Sequence, residues 1–306
     1  MSEEYLKTRF GKIKLKELVV KKIPDNPRIK LPEYISSLYD SEIDKKSASI
    51  SLKLIKNKLV NLNKNVKLKL KEVKWCRAGS SPHKIKLPKF LDPKLAYLAG
   101  YLHGDGGFKD IRKSYNKNNR FEHKIIVGDE FEIQINRIKL LFKDLFNLNT
   151  TMRKERIEKG ERLYYLNPTC KIVYRFFTKV LGFTEGPKRN IKIPKIIKAA
   201  PSNLMKWYLR GFVDADGDVR ATEYYRKKPT TPRFKVRLAD KNFVLELKKH
   251  LNNEFNVNLT GPYTDTQKDW YIQCGKQGLI NAQKEEVFFH PIKKWRIENF
   301  WVRSSA

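Results

Sequence analysis

Two apolar helices that each end on Asp-Gly constrain this chain more than any other feature. The first is KLAYLAGYLHGD, from Lys94 to Asp105. It is opened by Asp92-Pro93, an N-cap followed by a proline at the first helical position, and it stops at Gly106-Gly107. Ala96, Gly100 and Gly104 recur at i, i+4 along it. The second is LMKWYLRGFVDAD, from Leu204 to Asp216, with Ser202 or Asn203 as its cap and Gly211 and Ala215 at the same spacing. Each interior glycine costs a helix about 0.5–1 kcal/mol relative to alanine. Very close approach of a second helix would offset that cost, so the two are expected to pack face to face.

Behind each helix the same order of signals repeats, which points to an internal duplication. In the first copy a short strand, Phe108 to Ile111, and a loop at Asn116 to Arg120 lead to a strand from Phe121 to Gly128. A helix bearing Phe131, Ile135, Ile138, Phe142 and Leu145 follows, with the 4-3-4-3 spacing of one buried face. In the second copy Asp218 to Tyr225, a loop at Arg226 to Pro232 and a strand from Arg233 to Ala239 precede a helix bearing Val244, Leu247, Leu251 and Phe255. The helices leave through twin exits, FNLN at Phe146 and FNVN at Phe255. Further strands and a last helix close each copy, at Arg153 to Leu166 and Cys170 to Leu181, then at Trp270 to Cys274 and Gln277 to Val287. The repeat register is 111 residues by the aspartates and 109 by the exits.

Charge sets the class of partner. The 306 residues carry 65 Lys+Arg against 33 Asp+Glu, a formal net charge of +32. An excess of that size concentrates polyanions, with nucleic acid foremost. No stretch approaches the roughly 18–20 consecutive apolar residues that a spanning helix needs, and MSEEYLKTRF has no apolar signal region, so an intracellular, cytoplasmic protein without a membrane partner is expected. Cys76, Cys170 and Cys274 are too far apart for a zinc site or a disulfide scaffold. With 40% apolar residues the chain folds rather than remaining a disordered polycation. Residues 1–87 read as a separate, lysine-rich segment punctuated by Pro24, Pro27, Pro32 and Pro82. Within it Ser47 to Leu62 suggests a basic amphipathic helix, either part of a helix-turn-helix unit or a solvated helix packed on the main body.

The two helix ends carry the chemistry. An acid at a helix C-terminus faces the negative end of the macrodipole. Two such acids side by side penalise each other further. A divalent cation relieves both penalties, and hard oxygen ligands suit Mg²⁺. Beneath a basic surface this becomes a metal-assisted phosphodiesterase site. The plain alternative for one such helix is that Asp-Gly is only a stop signal; the duplication argues against it.

LAGYLHGDG, Leu98 to Gly106, and LRGFVDADG, Leu209 to Gly217, resemble the paired signature helices of the LAGLIDADG homing endonucleases. The lead-in IPKIIKAAPSNLMKWYLRGFVDADG from Ile193 is similar to the approach to the second signature in single-chain members. The resemblance covers about Pro88 to Trp301. It implies an α+β fold of two pseudo-symmetric αββαββα half-domains, 88–200 with a linker and 201–306, sharing a saddle-shaped DNA-binding sheet. Residues 1–87 would be a small basic appendage. It implies an intron-associated, site-specific endonuclease that cuts both strands of a long asymmetric target in double-stranded DNA. The metal, Mg²⁺ or Mn²⁺, would be held by Asp105 and Asp216 together with the preceding Gly104 and Ala215. His103 and Asp214 fall to structural roles.

The family places a lysine or other polar residue after the second strand of each half. Lys241 fills that catalytic position in the second half. The first half offers Asp129, Glu130 and Glu132 instead, which would repel a phosphate and put cutting of one strand in doubt. Lys109, Arg112, Lys117, Arg120 and Lys124, with Arg220, Arg226, Arg233, Lys235 and Arg237, are the expected DNA-facing residues. Arginine is suited to reading guanine and lysine to phosphate. The competing reading is a LAGLIDADG-derived protein that holds DNA or structured RNA without cutting, as a maturase or regulator. An intein is disfavoured by Met1 and by an ending, WVRSSA, without His-Asn. The internal duplication leaves no need for dimerisation, so a monomer is expected.

Overall fold

The computed structural model describes residues 5–8, 11–40, 44, 49–63, 65–79, 81–113, 120–156, 162–186, 188, 190–220, 224–225, 228–229, 233–266 and 268–304. The N-terminal part is built from strands. β1 (Tyr5–Thr8) and β2 (Gly11–Lys14) form a hairpin, β3 (Ile29–Lys30) awaits a later partner, and β4 (Ile50–Leu54), β5 (Leu59–Asn61) and β6 (Val73–Ala78) make an antiparallel sheet in the order β5-β4-β6. β7 (Phe90–Leu91) then pairs with β3.

This corrects the helix expected at Ser47 to Leu62. Ile50 and Leu52 are buried while Ser51 and Lys53 face out, a period of two. The four-residue step from Ile50 to Leu54 satisfies a helix and a strand alike. Asn57, at φ 64°, turns the chain between β4 and β5. No helix-turn-helix unit occurs among the described residues of 1–87. Nor does this part stand apart. The Tyr34 ring meets the Phe176 ring edge-on at 5.4 Å, and Lys86 N–H donates to the Phe146 carbonyl at 3.0 Å. The buried Arg175 guanidinium joins the Asp44 carboxylate and the Leu38 carbonyl, each at 2.7 Å, and Lys171 also pairs with Asp44.

From there the chain reads α1 (Pro93–Gly104), β8 (Gly107–Lys113), β9 (Arg120–Asp129), α2 (Glu132–Phe146), β10 (Met152–Arg156), β11 (Arg162–Leu166) and α3 (Lys171–Arg175), which continues as a π-helical turn, Phe176–Val180. A short α4 (Lys195–Lys198) leads to the second copy. That comprises α5 (Ser202–Asp216), β12 (Gly217–Arg220), a small β13 (Tyr224–Tyr225) and β14 (Lys228–Pro229) pair, β15 (Arg233–Leu238), α6 (Lys241–Phe255), β16 (Thr260–Thr264), β17 (Trp270–Cys274) and α7 (Lys276–Lys284). α8 (Pro291–Ser304) follows and has no counterpart in the sequence reading.

Each copy folds one four-stranded antiparallel sheet, β10-β11-β9-β8 and β12-β15-β17-β16. In both, the strand after the glycine-bearing helix is an edge and the second strand lies beside it, then the fourth, then the third. Core positions fix the register. Phe108 opposes Ile125, and Val219 opposes Phe234, all four buried. The offset is therefore 111 for the first strand and 109 for the second. It stays 109 through the helices to Asn147 and Asn256, both left-handed at φ 55° and 51°. The two repeat registers are both right, and the difference of two residues lies in the connection between the first two strands.

Asp92 caps α1 as expected, its Oδ1 accepting from Leu95 N–H at 2.8 Å. The cap position of α5 is Pro201, and the Ser202 hydroxyl donates to Glu254 instead.

Candidate active site between the two helix ends

α1 and α5 meet backbone to backbone. A Cβ placed on Gly100 would lie 1.9 Å from the Tyr208 carbonyl oxygen, and one on Gly211 would lie 2.0 Å from that of Tyr97. Gly100 and Gly211 occupy equivalent positions, as do Tyr97 and Tyr208, so each contact is the other's image about a pseudo-twofold axis. Side chains cross in the same manner. The Tyr97 hydroxyl donates to Asp214 at 2.6 Å, and the Tyr208 hydroxyl meets His103 Nδ1 at 2.6 Å. Both His103 and Asp214 are thus spent on holding the helices together. Burial pushes the His103 imidazole down to about 3, with Lys188 adding to the effect, and pushes the Asp214 carboxyl up.

At the far end of this contact lie Asp105 and Asp216. A Cβ on Gly104 would come within 2.5 Å of Ala215 Cβ and 3.2 Å of Asp216 Oδ2, so glycine there lets the two ends touch. Asp216 Oδ2 is buried and has no hydrogen-bond partner. Asp105 keeps contact with water but is crowded by protein on its other sides. Desolvation first, and the Asp216 charge second, push its carboxyl up to about 7. Asp216 is raised as well, by burial. The charges of Lys188 and Lys293 oppose the rise at both carboxyls.

Sequence reasoning missed both lysines. Lys188 lies beyond the π-helical turn that continues α3, and Lys293 in the first turn of α8, beyond α7; they are 105 residues apart, the same offset as the first residues of α3 and α7, Lys171 and Lys276. The registers of 111 and 109 set Asn299 and Ile297 opposite Lys188, so neither could have found the pair. Lys293 Nζ also donates to the Val213, Asp214 and Ala215 carbonyls at 3.2, 2.5 and 3.0 Å, a cation on the negative end of α5. The Ala215 carbonyl, expected among the metal ligands, is therefore engaged by an ammonium.

The remaining donor set fits a hard divalent cation. It has two carboxylates, one with an orphaned buried oxygen, and no soft ligand. No group of three or more His, Cys, Asp or Glu able to hold a metal occurs among the described residues, so other ligands would be backbone, water or a substrate phosphate.

The corner after the second strand differs from expectation. Lys241 is the first residue of α6, exposed, with Nζ 4.4 Å above the Trp270 ring. Its counterpart at offset 109 is Glu132, the first residue of α2 and likewise exposed. Asp129 turns inward. It accepts from the Tyr101 hydroxyl at 2.6 Å and Phe131 N–H at 2.8 Å, and faces His290 Nε2 at 3.3 Å. Burial alone would raise it, but His290 and the Tyr101 hydrogen bond hold it below the usual carboxylate range.

Among the expected DNA-facing residues, Lys109 and Lys124 stand opposite each other across β8 and β9, on the face away from Phe108 and Ile125. Arg233, Lys235 and Arg237 alternate with buried Phe234 and Val236 on β15. Lys235 Nζ sits 3.6 Å from the Tyr271 ring centre, and Arg237 pairs with Asp265 at 3.0 Å and Asp269 at 3.7 Å. Arg112, Arg120 and Arg220 belong to β8, β9 and β12. Lys117 and Arg226 lie outside the described residues.

Helix, two strands, helix, two strands, helix, twice over, with the glycine-bearing helices in contact: the fold is the paired αββαββα arrangement that the LAGLIDADG resemblance implies. Solved structures with which it aligns include I-DmoI in complex with DNA and Mn, at 19% identity and a TM-score of 0.42 over 66% of this chain and 96% of that one. Another is the homing endonuclease I-WcaI bound to its DNA recognition sequence, at 17% and 0.47 over 67% and 85%. Among curated proteins, the glutamine–fructose-6-phosphate aminotransferase of Methanocaldococcus jannaschii is 31% identical over 138 residues, 45% of this chain and 11% of that protein. The probable translation initiation factor IF-2 of the same organism is 28% identical over 214 residues, 67% and 16%. The chain thus spans between about a tenth and a sixth of the length of these relatives. No protein-family model matches it.

Proposed function

We propose that this chain is a divalent-metal-dependent endonuclease of double-stranded DNA, acting as a monomer through 88–200 and 201–306, with 1–87 as an addition to the first half. The observation that carries the reading is the Asp216 oxygen, buried and unpartnered beside a second carboxylate whose ionisation is resisted. A folded chain retains such a pair where a cation is meant to relieve it. Asp105 and Asp216 would hold Mg²⁺ or Mn²⁺, which when bound would activate water and neutralise charge on the scissile phosphate. Lys188 and Lys293 oppose the upward shift of both carboxyls and so favour their anionic forms. Lys109, Lys124, Arg233 and Lys235 supply outward positive charge for the phosphate backbone.

The two curated relatives bear unrelated names, and each matches over only a small part of its length. That supports a self-contained module whose activity is separate from amino transfer or translation. A second reading, a binder of DNA or structured RNA that does not cut, is favoured by the Lys293 ammonium on the Ala215 carbonyl and by Glu132 in the place of Lys241.

The test is a cleavage selection on a randomised DNA library in Mg²⁺ and in Ca²⁺, with the ends sequenced. Recurrent ends with short 3′ overhangs in Mg²⁺ alone are expected. DNA retention without ends in either metal would overturn the nuclease and leave the binder.

A further inference from the structure

Positive charge is also concentrated away from the two large sheets. Residues 50–86 carry eleven lysines and arginines against a single acid, Glu72. That is a net +10 in 37 residues, nearly a third of the net charge of the whole chain. These residues build the β5-β4-β6 sheet and its connections. One face packs into the core through Ile50, Leu52 and Cys76. The opposite face presents two rows across the strands, Asn61–Ser51–Arg77 and Leu59–Lys53–Trp75. Lys84 completes it, its Nζ 5.7 Å over the Trp75 ring. The face is basic and partly apolar, with Leu59 67% exposed, and carries no acid.

The position of this sheet is fixed. Lys86 N–H is bonded to the Phe146 carbonyl, and the Asn147 side chain donates to the Lys84 carbonyl at 3.2 Å, both at the C-terminal end of α2. The N-terminal end of α2 follows Asp129, beside Tyr101 and His290 at the centre of the molecule. A helix of 15 residues spans about 22 Å, so the basic face stands roughly that far from the paired aspartates, on the side of the first half only. At 3.4 Å per base pair this is on the order of six base pairs along a duplex.

We infer that the outer face of the β5-β4-β6 sheet is a second DNA contact, binding the phosphate backbone of duplex that flanks the cleavage site on the first-half side. The inference rests on the endonuclease reading for the duplex, but its test does not need cleavage. Lys53, Arg77 and Lys84 contact phosphates, and Leu59 and Trp75 cover sugar surface between them. The footprint of the protein is then longer on one side of the cut than on the other.

The experiment compares Lys53→Gln/Arg77→Gln/Lys84→Gln with a control of equal charge, Lys143→Gln/Lys249→Gln/Lys284→Gln, which neutralises exposed lysines elsewhere. Both keep their circular dichroism melting profile. Binding of the full chain to a generic 40-base-pair duplex is followed by fluorescence anisotropy across a salt series without metal. Each phosphate contact contributes about 0.9 to the log–log salt slope, so the first variant should lose about 2 to 3 from it and the control little. Equal slopes in the two variants would overturn the inference while leaving the nuclease reading intact. So would a loss confined to an RNA hairpin used as a parallel probe. Failure of the unsubstituted chain to bind duplex at any salt would remove the reading on which the inference rests.

Discussion

The backbone contact of α1 and α5 makes Gly211→Ala an informative substitution. The added methyl would lie 2.0 Å from the Tyr97 carbonyl oxygen and 2.9 Å from Tyr101 N. Both atoms are backbone, so no rotamer change relieves the clash. An ordinary carbon–oxygen contact is about 3.3 Å, and the helices must therefore separate by about 1.3 Å. Overpacking of this kind costs typically 1–3 kcal/mol, and the upper end applies where neither side can yield. The gain in helix propensity returns about 0.5–1 kcal/mol. A net loss of about 2 kcal/mol is expected, read as a lower urea midpoint at unchanged slope. Gly128→Ala is the control, because its methyl would meet Leu163 at an ordinary 3.4 Å. The same separation lifts Gly104 from Ala215 and spreads the two carboxylates, so Ca²⁺ binding measured by calorimetry should weaken in Gly211→Ala alone. A Gly211→Ala protein as stable as the unsubstituted chain, with its Ca²⁺ affinity intact, would refute the close contact and the site derived from it.

Three other perturbations test separate parts of the reasoning. The Asp105 carboxyl holds its proton to about 7 in the folded chain against 3.8 ordinarily, so the metal-free fold binds more protons than the unfolded chain between those values and loses stability as pH rises from about 4 to 7. Asp105→Asn should flatten that slope and, after allowance for the water that screens Asp105, raise the neutral-pH melting point by about 1 kcal/mol equivalent; calorimetry showing an unchanged or steeper slope would contradict the paired-carboxylate geometry. Asp44→Ala removes the carboxylate that pairs with the buried Arg175 guanidinium and should cost about 3–5 kcal/mol in urea unfolding, with much of it recovered in Asp44→Leu/Arg175→Met. Lys293→Met strips a donor from three carbonyls and a positive charge from the aspartate pair. It should move the pH midpoint of Ca²⁺ binding upward, and a midpoint that stays put would place the lysine outside the site.

What the sequence made legible was local. Gly100, Gly211 and the two Asp-Gly stops announce a close helix pair without any knowledge of the rest, because glycine inside a helix has few other uses. The apolar steps of α2 and α6 and the twin FNLN and FNVN exits were readable as well, because a buried helix face repeats within one or two turns. Ser47 to Leu62 was not, since Ile50 and Leu54 fit both periods and the turn at Asn57 carries neither Gly nor Pro. The surroundings of the aspartates were hidden by distance along the chain. Asp129 looked like a repulsive acid until His290, 161 residues later, is seen to hold it inward. Lys241 was placed by the motif order alone, and its contact with the Trp270 ring, 29 residues on, was not readable from it.

The crossed pairs at the helix contact also bear on how the two halves depend on each other. Equivalent positions hold unlike partners, His103 in one helix and Asp214 in the other, each bonded to a tyrosine of the opposite helix. Two copies of the second half alone would bring two Asp214 carboxyls into the same buried interface, and two copies of the first would bring two imidazoles that burial keeps neutral. Only the unlike pair places a single acid there. The contact at this position therefore suits the second half packed against the first better than against a copy of itself.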